Sequence, residues 1–351
     1  MLTYPDRVQL AQLPTPLQPL DRLSEKLAGP RIWLKRDDLS GSHLSGNKVR
    51  KLEFILARTQ AQGADILITC GGTQSNHCRA TALVAAQLGL KCHLILRQDP
   101  LPAGSTELHD GNLLLDELAG AKIDVYPAKG FGAGLRMRMQ AVAERYSTAG
   151  VRPYLIPVGA SDGIGIWGYI AAAEELKNDF KRAAINSAVI ACASGSGGTQ
   201  AGLIVGVEGF KIPAEVLGFA VCDNAAYFHA KIKSDIAHWR REWPEQAAEF
   251  GFDADVSVGV DTNVDIKVNV NDVYIGDGYA LASDEVLQTI AMLAREEGVL
   301  LDPVYTGKAF FGLLEEIKKD TFDGVSDVVF IHTGGLFGLF PWRQRLNRLV
   351  F

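Results

Sequence analysis

Short apolar runs bounded by charged or turn-forming residues recur along the chain: RIWLK at 31–35, DILITC at 65–70, KCHLILR at 91–97, KIDVYP at 122–127, RPYLIP at 152–157, SAVIACA at 187–193, EVLGFAV at 215–221 and DVVFIHT at 327–333. Runs this short and this continuously apolar predict strands buried on both faces. Between them lie segments with helical spacing. Residues 74–88 open polar and continue as ATALVAAQL, 171–182 mix alanine with charge, and 283–297 begin SDE, which predicts a capped amphipathic helix. Strand and helix in alternation predict an α/β protein with open, mostly parallel twisted sheets. In such sheets ligands sit at the carboxyl ends of strands, so CGGTQSN, ASGSGGT and HTGG, each following an apolar run, point to one cleft. Residues 228–272 are the least regular and predict an excursion from the sheet; no repeat, low-complexity tract or Ser/Pro linker interrupts the rest.

A length of 351 residues exceeds what one core comfortably fills, so two lobes with a cleft between them are expected. The net charge of −6 argues against a general nucleic-acid binder, and 47% hydrophobic with 22% charged residues is the balance of a folded enzyme. The opening MLTYPDRVQL has no apolar stretch behind a basic head, so a cytoplasmic protein is expected. The uncharged stretch 183–207 is broken by SGSGG and is not expected to enter a membrane. Five cysteines, an odd number without a CxxC pair, suit reduced buried thiols, and no His-x-x-x-His spacing suggests a metal. Arg343, Arg345 and Arg348 read as a solvated helix face.

Three segments carry candidate chemistry. In LSGNKVRKLEF, Lys48 stands at a predicted helix start, where either the positive end of the helix dipole disfavours its charged form and so favours Schiff-base chemistry, or Lys48, Arg50 and Lys51 are surface charges on that helix. In SGSGGTQAG, Ser194, Gly195, Ser196, Gly197, Gly198 and Thr199 lie between a strand and a helix, where converging N–H groups and hydroxyls form either a phosphate cup or a structural turn. The segment lacks the GK[ST] ending of a nucleotide P-loop and the GxGxxG spacing of a dinucleotide fold. In GGTQSNHCRATA, Ser75, Asn76 and His77 either face the cleft or cap the following helix. Tyr305 and Thr306 before a helix, and Thr333 at a strand end, add polar groups. Together these describe a site for a phosphorylated aldehyde, and pyridoxal phosphate fits best.

The segments PTPLQPLDRLSE, IWLKRDDLSG, GNKVRKLEF, TQSNH, PYLIPVGAS, ASGSGGTQAGL, LLDPVYTGKAF and FIHTGG occur in an order that resembles the D-cysteine desulfhydrase / 1-aminocyclopropane-1-carboxylate deaminase family of fold-type II pyridoxal-phosphate enzymes. The resemblance implies a two-lobed, tryptophan synthase β-like fold. Residues 1–46 and 162–351 would form a large cofactor-binding domain, residues 47–161 a small domain that moves on substrate binding, and the chain a homodimer. It implies that Lys48 carries the cofactor and then shuttles the Cα proton, that Asn76 bonds the phenolic oxygen, and that residues 194–199 with Lys51 hold the phosphate. Ser75 would meet the substrate carboxylate or assist proton transfer, with His77, Tyr279 and Tyr305 lining the substrate pocket. The deaminases of the family resemble one another in placing Glu directly after the motif tyrosine; here Thr306 stands there, and Thr333 offers a second hydroxyl. A neutral threonine beside the ring nitrogen suits expulsion of a good β-leaving group. The expectation is α,β-elimination on a small amino acid, D-cysteine giving pyruvate, hydrogen sulfide and ammonia. L-Cysteate sulfo-lyase, with His77 and Arg79 as pocket cations, and ring opening of aminocyclopropane carboxylate are the alternatives. Leu44, Trp167 and Phe337 are further residues able to reshape the pocket. A non-catalytic binding protein would keep the cleft without needing Lys48, and a metal hydrolase lacks its ligand spacing.

Overall fold

The structure is a computed structural model, and it describes residues 2–98, 109–252 and 266–350. All eight predicted strands form: β2 (Arg31–Lys35), β3 (Ile66–Gly72), β4 (Lys91–Arg97), β5 (Lys122–Tyr126), β6 (Pro153–Leu155), β7 (Ala188–Ser194), β8 (Ala214–Ala220) and β10 (Asp327–Ile331). Two three-residue edge strands join them, β1 (Leu17–Pro19) and β9 (Asn269–Asn271), too short to leave a periodic signal. The strands make two open sheets, ordered β1-β2-β10-β7-β8-β9 and β5-β4-β3-β6, with every pair parallel except β1 with β2.

Register brings the strand ends together. In the larger sheet Asp327 of β10 aligns with Arg31 and with Ala188, and Ser194 at the end of β7 faces Ala220 of β8. In the smaller sheet Gly72 at the end of β3 faces Arg97 of β4. The carboxyl ends of strands from both sheets therefore open onto one pocket, as the sheet rule requires.

Helices cover the sheets where predicted: Asn76–Gln87, Trp167–Ala183 and Asp284–Glu297, the last capped by the Ser283 hydroxyl. The expectation of irregularity over 228–272 is corrected. Residues 225–242 form one helix, capped by the Asn224 side chain, whose buried Phe228, Ile232, Ile236 and Trp239 recur at helical spacing, and Asn269–Asn271 pairs with β8. Residues 253–265 lie outside the described residues.

The helix Asn47–Ala61, which carries Lys48, is pinned by a buried ion network. Arg50 donates to both oxygens of Asp37 and to both of Glu175 on the helix Trp167–Ala183, and Tyr169 and Thr15 add hydroxyl bonds to Asp37. Burial acts to raise the Asp37 carboxyl, but the Arg50 charge and hydrogen bonds outweigh it and hold it below the usual carboxylate range. Removing Arg50 would strand a buried charge, at a cost of about 3–5 kcal/mol. Trp167 packs edge-on against Tyr4, Trp239 and Trp243 in the core, Leu44 is buried, and Phe337 lies under Arg79. None of Leu44, Trp167 and Phe337 reaches the pocket wall, which corrects their expected influence on it.

Candidate active site

The pocket is walled by the starts of helices. Gly46 precedes the helix Asn47–Ala61 at φ +108°, and a Cβ there would stand 2.6 Å from the Thr333 carbonyl, which accepts the Asn47 N–H at 3.2 Å. The end of β10 thus grips the turn that projects Lys48. The Lys48 amine lies 3.5 Å from the Gly159 carbonyl, and burial lowers its pKa from 10.5 to about 8. Burial is therefore the first cause of the shift that the helix-start argument anticipated.

Opposite lies the turn after β7. Gly197 adopts φ +82°, and the helix Gly198–Gly209 begins at once. A Cβ on Gly195 would meet the Tyr305 ring at 3.1 Å, and one on Gly198 would meet Ser161 Oγ at 2.5 Å and Lys51 Nζ at 2.8 Å. This is a cradle that only glycine leaves open, at a helix N-terminus, with a buried amine behind it. Those features fit a bound phosphate, and with the Lys48 amine in the same pocket the residues fit pyridoxal phosphate.

Side-chain bonds orient the cradle. The Asn47 amide donates to Thr199 Oγ1 at 3.0 Å, the Ser194 hydroxyl donates to Gln200 at 2.6 Å, and the Ser161 and Ser196 hydroxyls pair at 2.8 Å. Lys51, expected at the phosphate, is instead behind the wall, where its Nζ donates to Gly159 O and Ser161 Oγ. Gly198 is also off the wall and gives its N–H to Ser161 Oγ at 3.2 Å. Both act on the pocket through Ser161, whose hydroxyl pairs with that of Ser196 on the wall.

On the smaller-sheet side, Ser75 caps the helix Asn76–Gln87 by accepting the Cys78 N–H at 3.2 Å and also lines the pocket, so it both caps the helix and faces the cleft. Asn112 donates to Asn76 Oδ1 at 3.0 Å, which commits the amide oxygen and turns the –NH2 end toward the pocket. Thr69 gives its hydroxyl proton to the Ile156 carbonyl, so it accepts from His77 Nε2 at 2.8 Å. His77 is thereby fixed as one neutral tautomer, and burial, with Lys48 and Lys51 nearby, keeps its pKa well below the usual range. Tyr279 and Tyr305 face each other through their hydroxyls at the pocket wall.

Two expectations fail here. Thr306 is fully buried off the wall because Asp302 accepts both its hydroxyl at 2.7 Å and its N–H at 2.8 Å, closing the first turn of the helix Thr306–Lys318. Of the two threonines, Thr333 alone lines the pocket. Arg79 is turned away as well: it donates to the Ser45 carbonyl at 2.7 Å and to Asn112, so with His77 neutral neither serves as a pocket cation.

Arg97, at the end of β4, is the guanidinium on the wall, stacked 4.2 Å from the Tyr279 ring. Gly159, Arg97 and Asp223 were not picked out from the sequence. Gly159 sits in the quoted PVGAS segment, and Arg97 and Asp223 follow the strand-end rule already applied to three other strands. Among the described residues no cluster of His, Cys, Asp and Glu could hold a metal, and no helix is long and apolar enough to cross a membrane.

Residues 8–334 match the family described as pyridoxal-phosphate dependent enzyme. The chain is 40% identical over 351 residues to the bifunctional D-cysteine desulfhydrase/1-aminocyclopropane-1-carboxylate deaminase, mitochondrial, of Arabidopsis thaliana, covering 97% of this chain and 81% of that protein. Among solved structures it is similar to an ACC deaminase homologue at 34% identity and a TM-score of 0.83, covering 99% of this chain and 97% of the other. A fungal L-serine ammonia-lyase from Rhizomucor miehei, 16% identical with a TM-score of 0.66 over 97% of this chain and 98% of the other, shares the fold.

Proposed function

Because the chain belongs to the pyridoxal-phosphate dependent enzyme family, with the fold-type II architecture, we propose that it catalyses α,β-elimination on D-cysteine, giving pyruvate, hydrogen sulfide and ammonia. When bound, pyridoxal phosphate supplies the electron sink that makes the Cα–H bond acidic. The observation that carries the choice of reaction is Thr333, a neutral hydroxyl on the pocket wall where a carboxylate would strengthen that sink. The similar protein of Arabidopsis, named for D-cysteine desulfhydrase as well as deaminase activity, supports the same reading.

Each residue has a task set by its atoms. The turn 194–199 would hold the phosphate on the N–H groups it leaves open, the Gly198 N–H being taken by Ser161, and the Asn76 –NH2 would donate to the phenolic oxygen. Ser75 and the start of its helix receive the substrate carboxylate. Lys48 Nζ, the basic atom with lowered proton affinity, takes the Cα proton. The Cβ–S bond then breaks, the thiolate leaves with the electron pair, and the released aminoacrylate adds water to give pyruvate and ammonia. Tyr279 and Tyr305, whose hydroxyls meet on the pocket wall, would hand the departing sulfur a proton.

Arg97 on the wall favours one second reading, an anionic β-substituent such as the sulfonate of L-cysteate. The reading also includes a cytoplasmic homodimer whose 47–161 lobe closes on substrate. Leu336 and Phe340, 41% and 50% exposed on one short helix, are apolar side chains that a second copy would cover. The test compares the cofactor-loaded protein and Lys48→Ala on D-cysteine, L-cysteine, L-cysteate and aminocyclopropane carboxylate, assaying pyruvate, sulfide, sulfite and 2-oxobutyrate. Sulfide and pyruvate from D-cysteine, abolished in Lys48→Ala, is the expected result. Sulfite from L-cysteate selects the second reading, and full activity in Lys48→Ala overturns the assignment of the base.

A further inference from the structure

Lys308 is 1% exposed, and its ammonium donates to three main-chain carbonyls: Gly278 at 2.5 Å, Ile275 at 2.8 Å and Val221 at 3.5 Å. None of the three acceptors is a carboxylate. The carbonyls come from separate pieces of the pocket wall. Val221 precedes Cys222, which lines the pocket; Ile275 and Gly278 belong to the turn that delivers Tyr279; and Lys308 stands three residues after Tyr305. A buried ammonium is costly, and a methionine would fill the same volume without that cost. What methionine cannot do is satisfy three carbonyl oxygens converging on one point.

We propose that Lys308 is a positioning residue, a built-in monovalent cation whose carbonyl cage ties the Tyr279 turn to β8 and to the helix behind Tyr305, and that the cage accepts a free potassium or ammonium ion when the lysine is removed. Hard oxygen donors of this kind suit such ions. Through the cage, the Tyr279 and Tyr305 hydroxyls are held against each other at the pocket. Burial lowers the Lys308 pKa to about 8, against the opposing pull of Asp302 and Asp277, neither of which bonds the ammonium. The proposal rests on reading Tyr279 as a pocket residue of the enzyme, but its melting readout does not.

The experiment uses Lys308→Ala and Lys308→Met in the full chain, assayed in tetramethylammonium buffer with and without potassium or ammonium at equal ionic strength. Loss of charge-assisted hydrogen bonds predicts kcat/KM lower by about tenfold or more in both variants. Potassium or ammonium should restore Lys308→Ala, whose cage is open, and leave Lys308→Met unchanged, whose thioether fills it. The same ions should raise the melting temperature of Lys308→Ala by about 2 °C at roughly 100 mM and leave wild type unmoved, with or without cofactor. Wild-type kcat/KM in either variant, or a loss in Lys308→Ala that neither ion relieves in rate or melting, overturns the proposal. If Lys308→Ala does not fold, Lys308→Met decides: lowered kcat/KM supports the clamp and an unchanged value refutes it. If wild type turns over none of the substrates, the function above fails while the melting comparison still reads the cage.

Discussion

Raising the pH on the cofactor-free protein should expose Lys48 as an unusual amine. With its pKa at about 8, roughly 9% of the Lys48 amine is neutral at pH 7, against about 0.03% for an ordinary lysine, a ratio of about 300. A small aldehyde with cyanoborohydride, followed by peptide mapping, reads this directly. Labelling of Lys48 should climb about tenfold per pH unit up to about 8 and then level, while exposed lysines climb to beyond 10. The stability consequence has a definite sign. The folded pKa is below the unfolded one, so between about 8 and 10.4 the unfolded chain binds more protons and stability rises with pH. Below that window both states are protonated and the whole cost of burying the cation, on the order of 3 kcal/mol, stands. Labelling of Lys48 that rises in parallel with the surface lysines through pH 9 would refute the argument from burial.

Further outcomes are expected at three places. Asp37→Asn removes the fully buried one of the two carboxylates paired with Arg50 and leaves Glu175, costing about 2–3 kcal/mol and lowering the melting temperature by a few degrees. Asp37 is held below its ordinary pKa, so its contribution is present above about 3.9 and is lost as pH falls through the folded value; calorimetry in acid should show the two proteins converging. Gly159→Ala forces φ +65° on alanine and sets its Cβ 2.2 Å from Ser196 Oγ and 3.4 Å from Lys48 Nζ, so cofactor affinity by fluorescence titration should fall about tenfold or more. The two threonines should separate: Thr306→Val breaks the Asp302 cap and lowers the melting temperature, while Thr333→Val spares stability and lowers kcat. A Thr306→Val enzyme of normal stability but lost activity would contradict the placement of that hydroxyl.

Much of this protein was legible in one dimension because the interactions concerned are local. Strands buried on both faces must be continuously apolar, so β2, β4 and six others show in the hydropathy pattern to within two residues of their structural limits. Glycine turns that open a helix mark where backbone donors converge, which located Lys48, Ser75, Asn76, Ser194, Gly195, Ser196, Gly197 and Thr199 around one pocket. The two three-residue edge strands carry too few residues for any period, and the helix over 225–242 was missed although its four apolar anchors were in register.

Which way a polar side chain turns is a different question, because its partner comes from a distant part of the chain or from a turn whose geometry the sequence does not display. Thr306 follows Tyr305 into the helix and gives its hydroxyl to Asp302, four residues back, while Arg79 turns to the Ser45 carbonyl and Lys51 stops behind Ser161. Arg97 reaches the wall because β4 happens to end there in register with β3. The three carbonyls around Lys308 belong to residues 30 to 87 positions away, so nothing in TGKAF announces them. Composition and period settle which segments are buried and where turns fall, since these depend on each residue's own affinity for water and its own backbone freedom. The partners of buried polar groups depend on satisfying every donor and acceptor at once, and only the assembled tertiary structure decides that.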